Sequence, residues 1–211
     1  MTTSYPVTLR LAGRRCVVVG GGAVATRKVG TLVRSGADVL VVAPEVAPEI
    51  EALAASDGVR VERRPFEPAD LEGALLAFAA TDRRAVNQAV VDAAAERGVL
   101  VNVADDPPAS DFNNPGIVRR RDITLAISTG GRSPAFARFL REQLQDWLSD
   151  TRCALLDLVA EVRRDLRSAG KSPDSEGWRR ALDDEQVTTA IESGDREGAR
   201  RRLFQALMAG R

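Results

Sequence analysis

The stretch VVVGGGAVATRK, from Val17 to Lys28, decides the fold of this chain. Three β-branched residues, typical of a buried strand, run into three glycines, and a helical pattern follows. The frame Gly20-x-Gly22-x-x-Ala25 fits the dinucleotide-binding turn, where small residues permit a tight turn, close approach to a pyrophosphate and close helix packing. The free N–H groups of the helix N-terminus favour such an anion. The predicted cofactor contacts are Gly20, Gly21, Gly22, Ala23 and Val24.

The first half of the chain alternates between apolar strands and helical patterns, which implies parallel strands joined by right-handed crossovers. The predicted strands are 17–19, 39–43, 59–63, 75–80 and 99–103, and the predicted helices are 24–35, 48–55 and 83–96. We therefore predict an α/β fold with a Rossmann-like, doubly wound parallel sheet. The turn-rich stretch DDPPASDFNNPG ends this pattern. A strand at 122–128, a helix at 134–148 and helices alone after 151 are predicted beyond it.

Ligands of such sheets bind beyond the carboxyl ends of the strands. Further cofactor contacts are predicted there, at Pro44, Glu45, Thr81, Asp82 and Val103. Glu45 is the only carboxylate near the end of the second strand, and no arginine lies in that turn to hold a 2′-phosphate, so NAD is favoured over NADP. Glu45 could equally be a solvated charge, and Thr81 and Asp82 could cap the next helix. The Gly-to-Lys spacing excludes a Walker-type phosphate loop.

Asp105 and Asp106 follow the fifth predicted strand, where a nicotinamide ring would point. Burial at this position would raise the pKa of a carboxyl group toward the range that suits general acid–base catalysis. The alternative is a solvent-exposed Asp-Pro turn.

The composition of the 211 residues narrows the possible chemistry. The chain has no histidine, which excludes imidazole as base, proton shuttle or metal ligand, and its two cysteines are too few for a structural zinc site, so no metal is expected. A formal net charge of +0 and 4% aromatic residues give no sign of nucleic-acid binding. No signal-like or membrane-spanning apolar run is visible, so we expect a cytoplasmic protein without a membrane partner.

Five stretches together resemble the precorrin-2 dehydrogenase family, the N-terminal part of siroheme synthase. They are VVVGGGAVATRK, AATDRRAVNQ, VNVADDP, FNNPGIVRR and ITLAISTGGRSPAFARFLREQL, in order between Pro6 and Trp147. The resemblance implies NAD⁺-dependent oxidation of precorrin-2 to sirohydrochlorin, with ferrous iron insertion in some members. It also implies a homodimer and a freestanding form without the methyltransferase domain of the fused enzymes. The implied domains are an NAD-binding Rossmann domain at 1–112, a dimerisation and substrate segment at 113–150, and a helical domain at 151–211.

The resemblance also implies roles for particular residues. Asp105 matches the aspartate proposed as acid/base, although the adjacent Asp106 leaves the choice between them open. Precorrin-2 carries eight carboxylates and needs a cleft rich in cations, which the central segment can supply. The predicted substrate contacts are Asn113, Arg119, Arg120, Ser128, Thr129, Gly130, Gly131, Arg132, Ser133 and Arg138. Arg121 and Arg141 belong to the same arginine cluster, of which we expect about half to contact substrate.

Two other functions are compatible with the glycine turn. One is a regulatory module that senses NAD(H) without turnover and signals through its helical tail. The other is an oxidoreductase that acts on a different small substrate. A pure sensor does not account for the arginine-rich segment RSPAFARFLR.

Overall fold

The computed structural model describes residues 5–55 and 58–208. Contacts within the chain divide it into two compact units, Met1–Asn114 and Pro115–Arg211. Each unit has its own hydrophobic clusters and is described by itself.

The first unit is built on a parallel sheet of five strands. They are β1 (Arg15–Val19), β2 (Asp38–Val42), β3 (Val59–Glu62), β4 (Leu76–Ala79) and β5 (Leu100–Val103), in the spatial order β3-β2-β1-β4-β5. Strands β1, β2, β4 and β5 are mainly apolar because helices cover both faces of the sheet, whereas the edge strand β3 alternates between apolar and charged residues. The order reverses between β1 and β4, so the crevice where such folds bind ligands opens at their carboxyl ends. The predicted Rossmann-like sheet is confirmed.

Three helices connect these strands. They are α1 (Ala23–Arg34), α2 (Pro48–Ala54) and α3 (Arg84–Arg97). The apolar residues of α1 recur at helical spacing, so that Ala25, Val29 and Leu32 are buried against β1 and β2. Gly98 ends α3 in the left-handed conformation, at φ 65°, which glycine adopts without steric cost. These helices agree with the predicted ones to within a residue or two.

The second unit begins with a hairpin that sequence patterns revealed only in part. Strands β6 (Gly116–Arg120) and β7 (Ile123–Ile127) pair antiparallel, followed by helix α4 (Pro134–Trp147). The strand at 122–128 and the helix at 134–148 were predicted, whereas β6 was not. In the turn at Arg121–Asp122, Arg121 has φ 47°, a conformation for which hairpin turns usually have glycine or asparagine. The sequence therefore lacks the usual signal of a hairpin at this position.

The rest of the second unit is helical, as predicted. Helices α5 (Asp150–Ser168), α6 (Ser175–Leu182), α7 (Glu185–Glu192) and α8 (Arg196–Met208) surround one apolar cluster. A second cluster joins the hairpin to α4 and contains Val118, Ile127 and Leu148. The division of this region at residue 150 stays a prediction. Among residues 5–55 and 58–208, no helix combines the length and the hydrophobicity that a membrane-spanning segment needs.

Candidate functional site

The glycine turn after β1 is shaped by close backbone contacts at two of its three glycines. Gly20 has φ 126°, and a Cβ there would lie 2.3 Å from the carbonyl oxygen of Ala80. A Cβ on Gly21 would lie 1.9 Å from the carbonyl oxygen of Glu45. A Cβ on Gly22 would meet nothing within 4 Å. The first two glycines are therefore needed for packing, while the third leaves space in front of the helix.

The N-terminus of α1 presents free donors at that open space. Gly22 is the N-cap residue, and no side chain caps the helix. The Gly22 carbonyl accepts the amide of Thr26 at 3.0 Å, which starts the helical ladder. Within residues 5–55 and 58–208, the amides of Ala23 and Val24 have no acceptor. An uncapped helix start beside a glycine without steric neighbours fits a diphosphate.

The end of β2 borders the glycine turn. The amide of Ala47 donates to the carbonyl of Gly21 at 2.8 Å, which holds the segment after Pro44 against the turn. Pro44 and Glu45 are both exposed. The exposed Glu45 carboxylate thus belongs to a segment whose backbone contacts the glycines, the arrangement expected of a ribose-binding acid.

The end of β4 is held by a residue that our sequence analysis did not single out, Asn87 of α3. Its Oδ1 accepts from the Thr81 hydroxyl at 2.7 Å and from the Thr81 amide at 3.3 Å, and its Nδ2 donates to the Thr81 carbonyl at 3.0 Å. Thr81 in turn accepts from the amide of Arg83, the residue before α3. Asn87 lies in the stretch AATDRRAVNQ, but its helical polar pattern does not indicate this role.

The end of β5 places Asp105 in an uncommon backbone conformation. Asp105 has φ 58°, which few residues other than glycine, asparagine and aspartate adopt readily. Ser110 holds this segment: its hydroxyl accepts from the Val103 amide at 2.9 Å and donates to the Asp106 carbonyl at 2.9 Å. Asp105 is exposed and Asp106 is half-buried, so the burial considered for Asp105 in the sequence analysis is absent here.

A cavity of about 220 Å³ lies between the start of α3 and the end of β5. It is lined by Asp82, Asn87, Val103, Asp105 and Asp106, among others. Three predicted residues, Asp82, Val103 and Asp105, therefore share one cavity with Asn87 and with Asp106, the alternative to Asp105. Glu45 and the glycines are not among its lining residues.

In the second unit, the loop between β7 and α4 is ordered by its own side chains. The Ser133 hydroxyl accepts from the Phe136 amide at 3.1 Å and caps α4. The Ser128 hydroxyl accepts from the Gly130 amide at 3.2 Å. The Thr129 hydroxyl donates to the Ser133 carbonyl at 3.3 Å. Gly130 and Gly131 have φ 60° and 75° and make the turn. Each of these predicted substrate contacts has a local structural role.

The predicted arginine cluster divides into paired and unpaired residues. Nε of Arg119 donates to the Thr124 hydroxyl at 3.2 Å, Arg120 lies 3.7 Å from Asp150, and Arg121 lies 3.4 Å from Asp157. In the described part of the chain, the side chains of three exposed members have neither a hydrogen bond nor an ion pair, namely Arg132, Arg138 and Arg141. Asn113 is exposed and belongs to the first unit.

Residues 5–55 and 58–208 bring together no group of three or more Cys, Asp or Glu side chains suited to a metal ion.

Comparison with protein families matches both parts of the chain. Residues 7–116, more than half of the chain, match the family described as "Putative NAD(P)-binding". Residues 120–146 match the family described as the central part of sirohaem biosynthesis proteins. The first match spans the parallel sheet, and the second spans β7 and most of α4.

Individual proteins agree with the family matches. The chain is 40% identical over 210 residues to a siroheme synthase of Thioalkalivibrio sulfidiphilus, covering 98% of this chain and 42% of that protein. It is 39% identical to a siroheme synthase of Methylococcus capsulatus, covering 95% of this chain and 43% of that one. It thus spans less than half of these relatives. A solved structure titled SirC, precorrin-2 dehydrogenase, superposes with a TM-score of 0.70 at 28% identity, covering 98% of this chain and 100% of that one.

Proposed function

The chain belongs to the putative NAD(P)-binding family that its residues 7–116 match, and from that premise, with its likeness to siroheme synthases and to a precorrin-2 dehydrogenase, we propose that it oxidises precorrin-2 to sirohydrochlorin with NAD⁺. The observation that carries the proposal is the glycine turn in front of the uncapped helix α1, with Asp105 at the end of β5 of the same sheet. The likeness over the full length of a precorrin-2 dehydrogenase supports the choice of substrate.

In this proposal the amides at the start of α1, beside Gly22, would hold the diphosphate of the dinucleotide by hydrogen bonds. When bound, NAD⁺ would supply the acceptor for the hydride, with its two electrons, that leaves a ring carbon of precorrin-2. The oxidation also releases one proton, which the carboxylate of Asp105 accepts. The chain has no histidine to act as the base, and Asp105 is the carboxylate that this proposal assigns to that role at the end of β5. Asn87 positions Thr81 beside the same cavity.

NAD⁺ is proposed rather than NADP⁺ because of Glu45. Glu45 belongs to the segment after β2 whose backbone contacts the glycine turn. Its carboxylate can accept a hydrogen bond from a ribose hydroxyl of NAD⁺ but would repel the 2′-phosphate of NADP⁺. Glu45→Gln would relax this preference, which a comparison of Kd values for NAD⁺ and NADP⁺ measures.

The arginines of the second unit are proposed to bind the carboxylates of precorrin-2. Arg132 and Arg138 are the strongest candidates because they are exposed and have no ion-pair partner within 4 Å among the described residues. Arg119 and Arg120 line a cavity of about 270 Å³ near Gln145 and could exchange their present partners for substrate. Guanidinium groups suit this substrate because they bind carboxylates through two parallel hydrogen bonds.

A homodimer is proposed from the exposed apolar face of α4. Phe136 and Phe139 stack with ring centroids 5.9 Å apart while 53% and 49% exposed, and α4 has no buried residue. Two exposed aromatic side chains on an amphipathic helix are typical of a face that a second copy covers. Sedimentation of Phe139→Asp at several concentrations should show a monomer where the parent chain is a dimer.

The direct test mixes the purified chain with precorrin-2 and NAD⁺ and follows the absorbance of sirohydrochlorin and NADH. The proposal requires the two products in equal amounts. Binding of NAD(H) without turnover would instead support a sensor, and turnover of another small molecule alone would support a different oxidoreductase. Iron insertion stays a prediction from the resemblance; in it, the Asp105 carboxylate would remove pyrrole protons.

A further inference from the structure

The hydrogen-bonded ladder of β4 ends one residue before Thr81. The Ala80 amide donates to the Val19 carbonyl at 2.8 Å, and the Ala79 carbonyl accepts from the Ala104 amide at 2.9 Å. Thr81 is the first residue beyond both neighbouring strands, and in the described part of the chain its amide and carbonyl have no backbone partner. Because unpaired peptide groups are costly where water is limited, a half-buried Thr81 needs partners from elsewhere.

The side chain of Asn87 supplies these partners. Its Oδ1 accepts from the Thr81 amide at 3.3 Å, and its Nδ2 donates to the Thr81 carbonyl at 3.0 Å. The same Oδ1 accepts from the Thr81 hydroxyl at 2.7 Å. A carboxamide carries an acceptor and a donor on one planar group, as a peptide does. Asn87 therefore pairs with Thr81 as a neighbouring strand would, and extends the ordered end of β4 by one residue.

The peptide group that Asn87 holds lies against the glycine turn. A Cβ on Gly20 would lie 2.3 Å from the Ala80 carbonyl oxygen and 3.3 Å from the Thr81 nitrogen, and Gly20 is buried. Asn87 itself lines the cavity that contains Asp105. The Asn87–Thr81 pair thus lies between the predicted diphosphate site and the proposed proton acceptor.

We propose that Asn87 is a positioning residue for the nicotinamide half of the dinucleotide and that it acts through Thr81. In the sheet, β2 and Glu45 lie on one side of β1, while β4 and β5 lie on the other. A dinucleotide with its diphosphate at the glycine turn and its adenosine ribose at Glu45 would direct its other half past Thr81 toward Asp105. The hydrogen bonds of Asn87 hold the backbone there in one conformation before the ligand binds. This inference rests on the proposed function.

A purely structural role of Asn87 would give a different result. The Thr81 hydroxyl also accepts from the Arg83 amide at 3.1 Å, so the Asn87–Thr81 pair belongs to the start of α3 as well. If the pair served only the fold, its loss would weaken every ligand of the first unit alike. If it positions the nicotinamide half, the loss falls on ligands that contain this half.

The test compares NAD⁺ with ADP, which has the adenosine and the diphosphate but no nicotinamide riboside. Asn87→Ala removes all three hydrogen bonds to Thr81. Asn87→Asp keeps the size and the acceptor but places a second oxygen against the Thr81 carbonyl in place of the donor. Calorimetric titration of both variants should give a Kd for NAD⁺ about tenfold higher and a Kd for ADP changed by less than about twofold.

Asp92→Asn is the matched control. Asp92 is exposed on the same helix and accepts from Gln88 at 2.8 Å, so its variant should bind both ligands as the parent chain does. A parent-like Kd for ADP in the Asn87 variants also shows that they are folded. Equal increases in Kd for NAD⁺ and ADP would overturn the positioning role, and so would an unchanged Kd for NAD⁺.

Thr81→Val is a milder variant that decides the question if both Asn87 variants unfold. It removes the hydroxyl that Asn87 accepts from but leaves the backbone contacts, so the Kd for NAD⁺ should rise by a smaller factor and the Kd for ADP should stay unchanged. An unchanged Kd for NAD⁺ in this variant would count against the inference. If the parent chain binds NAD⁺ but does not oxidise precorrin-2, the proposed function fails, while the two Kd values still decide the role of Asn87.

Discussion

Gly21 and the backbone of Glu45 are in such close contact that a single methyl group cannot be placed between them. A Cβ on Gly21 would lie 1.9 Å from the Glu45 carbonyl oxygen and 2.8 Å from Cα of Val46. Both obstacles are backbone atoms, which cannot rotate away as a side chain can. This contact joins the glycine turn to the segment that carries the proposed ribose-binding acid.

Gly21→Ala should therefore destabilise the first unit. Overpacking against rigid backbone costs about 1–3 kcal/mol, and we expect a loss of at least that size in urea unfolding. Gly22→Ala is the matched control because its Cβ meets nothing within 4 Å, and its loss of stability should be smaller, limited to the poorer N-cap that alanine makes. Equal stability of the two variants would contradict the prediction, because it would show that the backbone at Glu45 can move away from position 21 at little cost.

Gly22→Asp should weaken NAD⁺ binding strongly without unfolding the chain. Gly22 is the N-cap of α1 with φ −86°, a conformation open to any residue, and aspartate is a favoured N-cap. The carboxylate would occupy the amides that the diphosphate needs and would repel its charge, so calorimetric titration should give a Kd at least about tenfold higher. Gly22→Ser, a neutral cap, should show a smaller loss. An unchanged Kd in Gly22→Asp would refute the cofactor placement.

Asp105→Asn should abolish turnover while the chain still binds NAD⁺. Asparagine tolerates the left-handed conformation at φ 58°, so the substitution removes the base without straining the backbone. We expect kcat to fall roughly 100-fold or more, with the Kd for NAD⁺ nearly unchanged. Asp106→Asn is the paired control and should retain most of the activity. The opposite ranking of the two variants would make Asp106 the proton acceptor.

The buried carboxylate of Asp70 predicts how stability depends on pH. Burial raises the pKa of Asp70, but hydrogen bonds from Arg64 and from the Glu67 amide outweigh this effect and hold the pKa below its ordinary value of 3.8. Because the pKa is lower in the folded state, the stabilisation is fully present above pH 3.8 and is lost as pH falls through the folded-state value.

Asp70→Asn should therefore lower the unfolding free energy by about 2–3 kcal/mol at neutral pH. Its unfolding free energy should also fall less than that of the parent chain between about pH 6 and about pH 3. Asp38→Asn is the control, since Asp38 pairs with Arg60 at the surface with its side chain 42% exposed. If the unfolding free energies of Asp70→Asn and the parent chain changed equally with pH, the pH dependence would not come from the Asp70 carboxylate.

The parallel sheet could be predicted because its signals are local. Apolar runs such as Val17–Val19, separated by helical patterns, indicate parallel strands with helices on both faces of the sheet. This inference does not depend on contacts between residues far apart in the sequence. Strand β6 escaped prediction because its turn depends on Arg121 at positive φ, which composition does not reveal. Its end, at Arg119 and Arg120, looked like part of a charged cluster.

Site residues that directly follow a strand could be predicted from the sequence. Residues whose role depends on a contact between two distant elements could not. Asp105 could be identified as the carboxylate after β5. Asn87 lies six residues beyond the Thr81 that it holds, and the Lys28–Asn102 contact spans 74 positions. Gly21 occupies a variable position of the dinucleotide motif, and only the approach of Glu45 shows why glycine is needed there.

The most direct measurement of the central claim is a crystal structure of the chain with NAD⁺. The account predicts the diphosphate over Gly22, hydrogen-bonded to the amides at the start of α1, and the nicotinamide ring directed toward Asp105. A dinucleotide bound away from the glycine turn, or one with its nicotinamide pointing away from the end of β5, would contradict it.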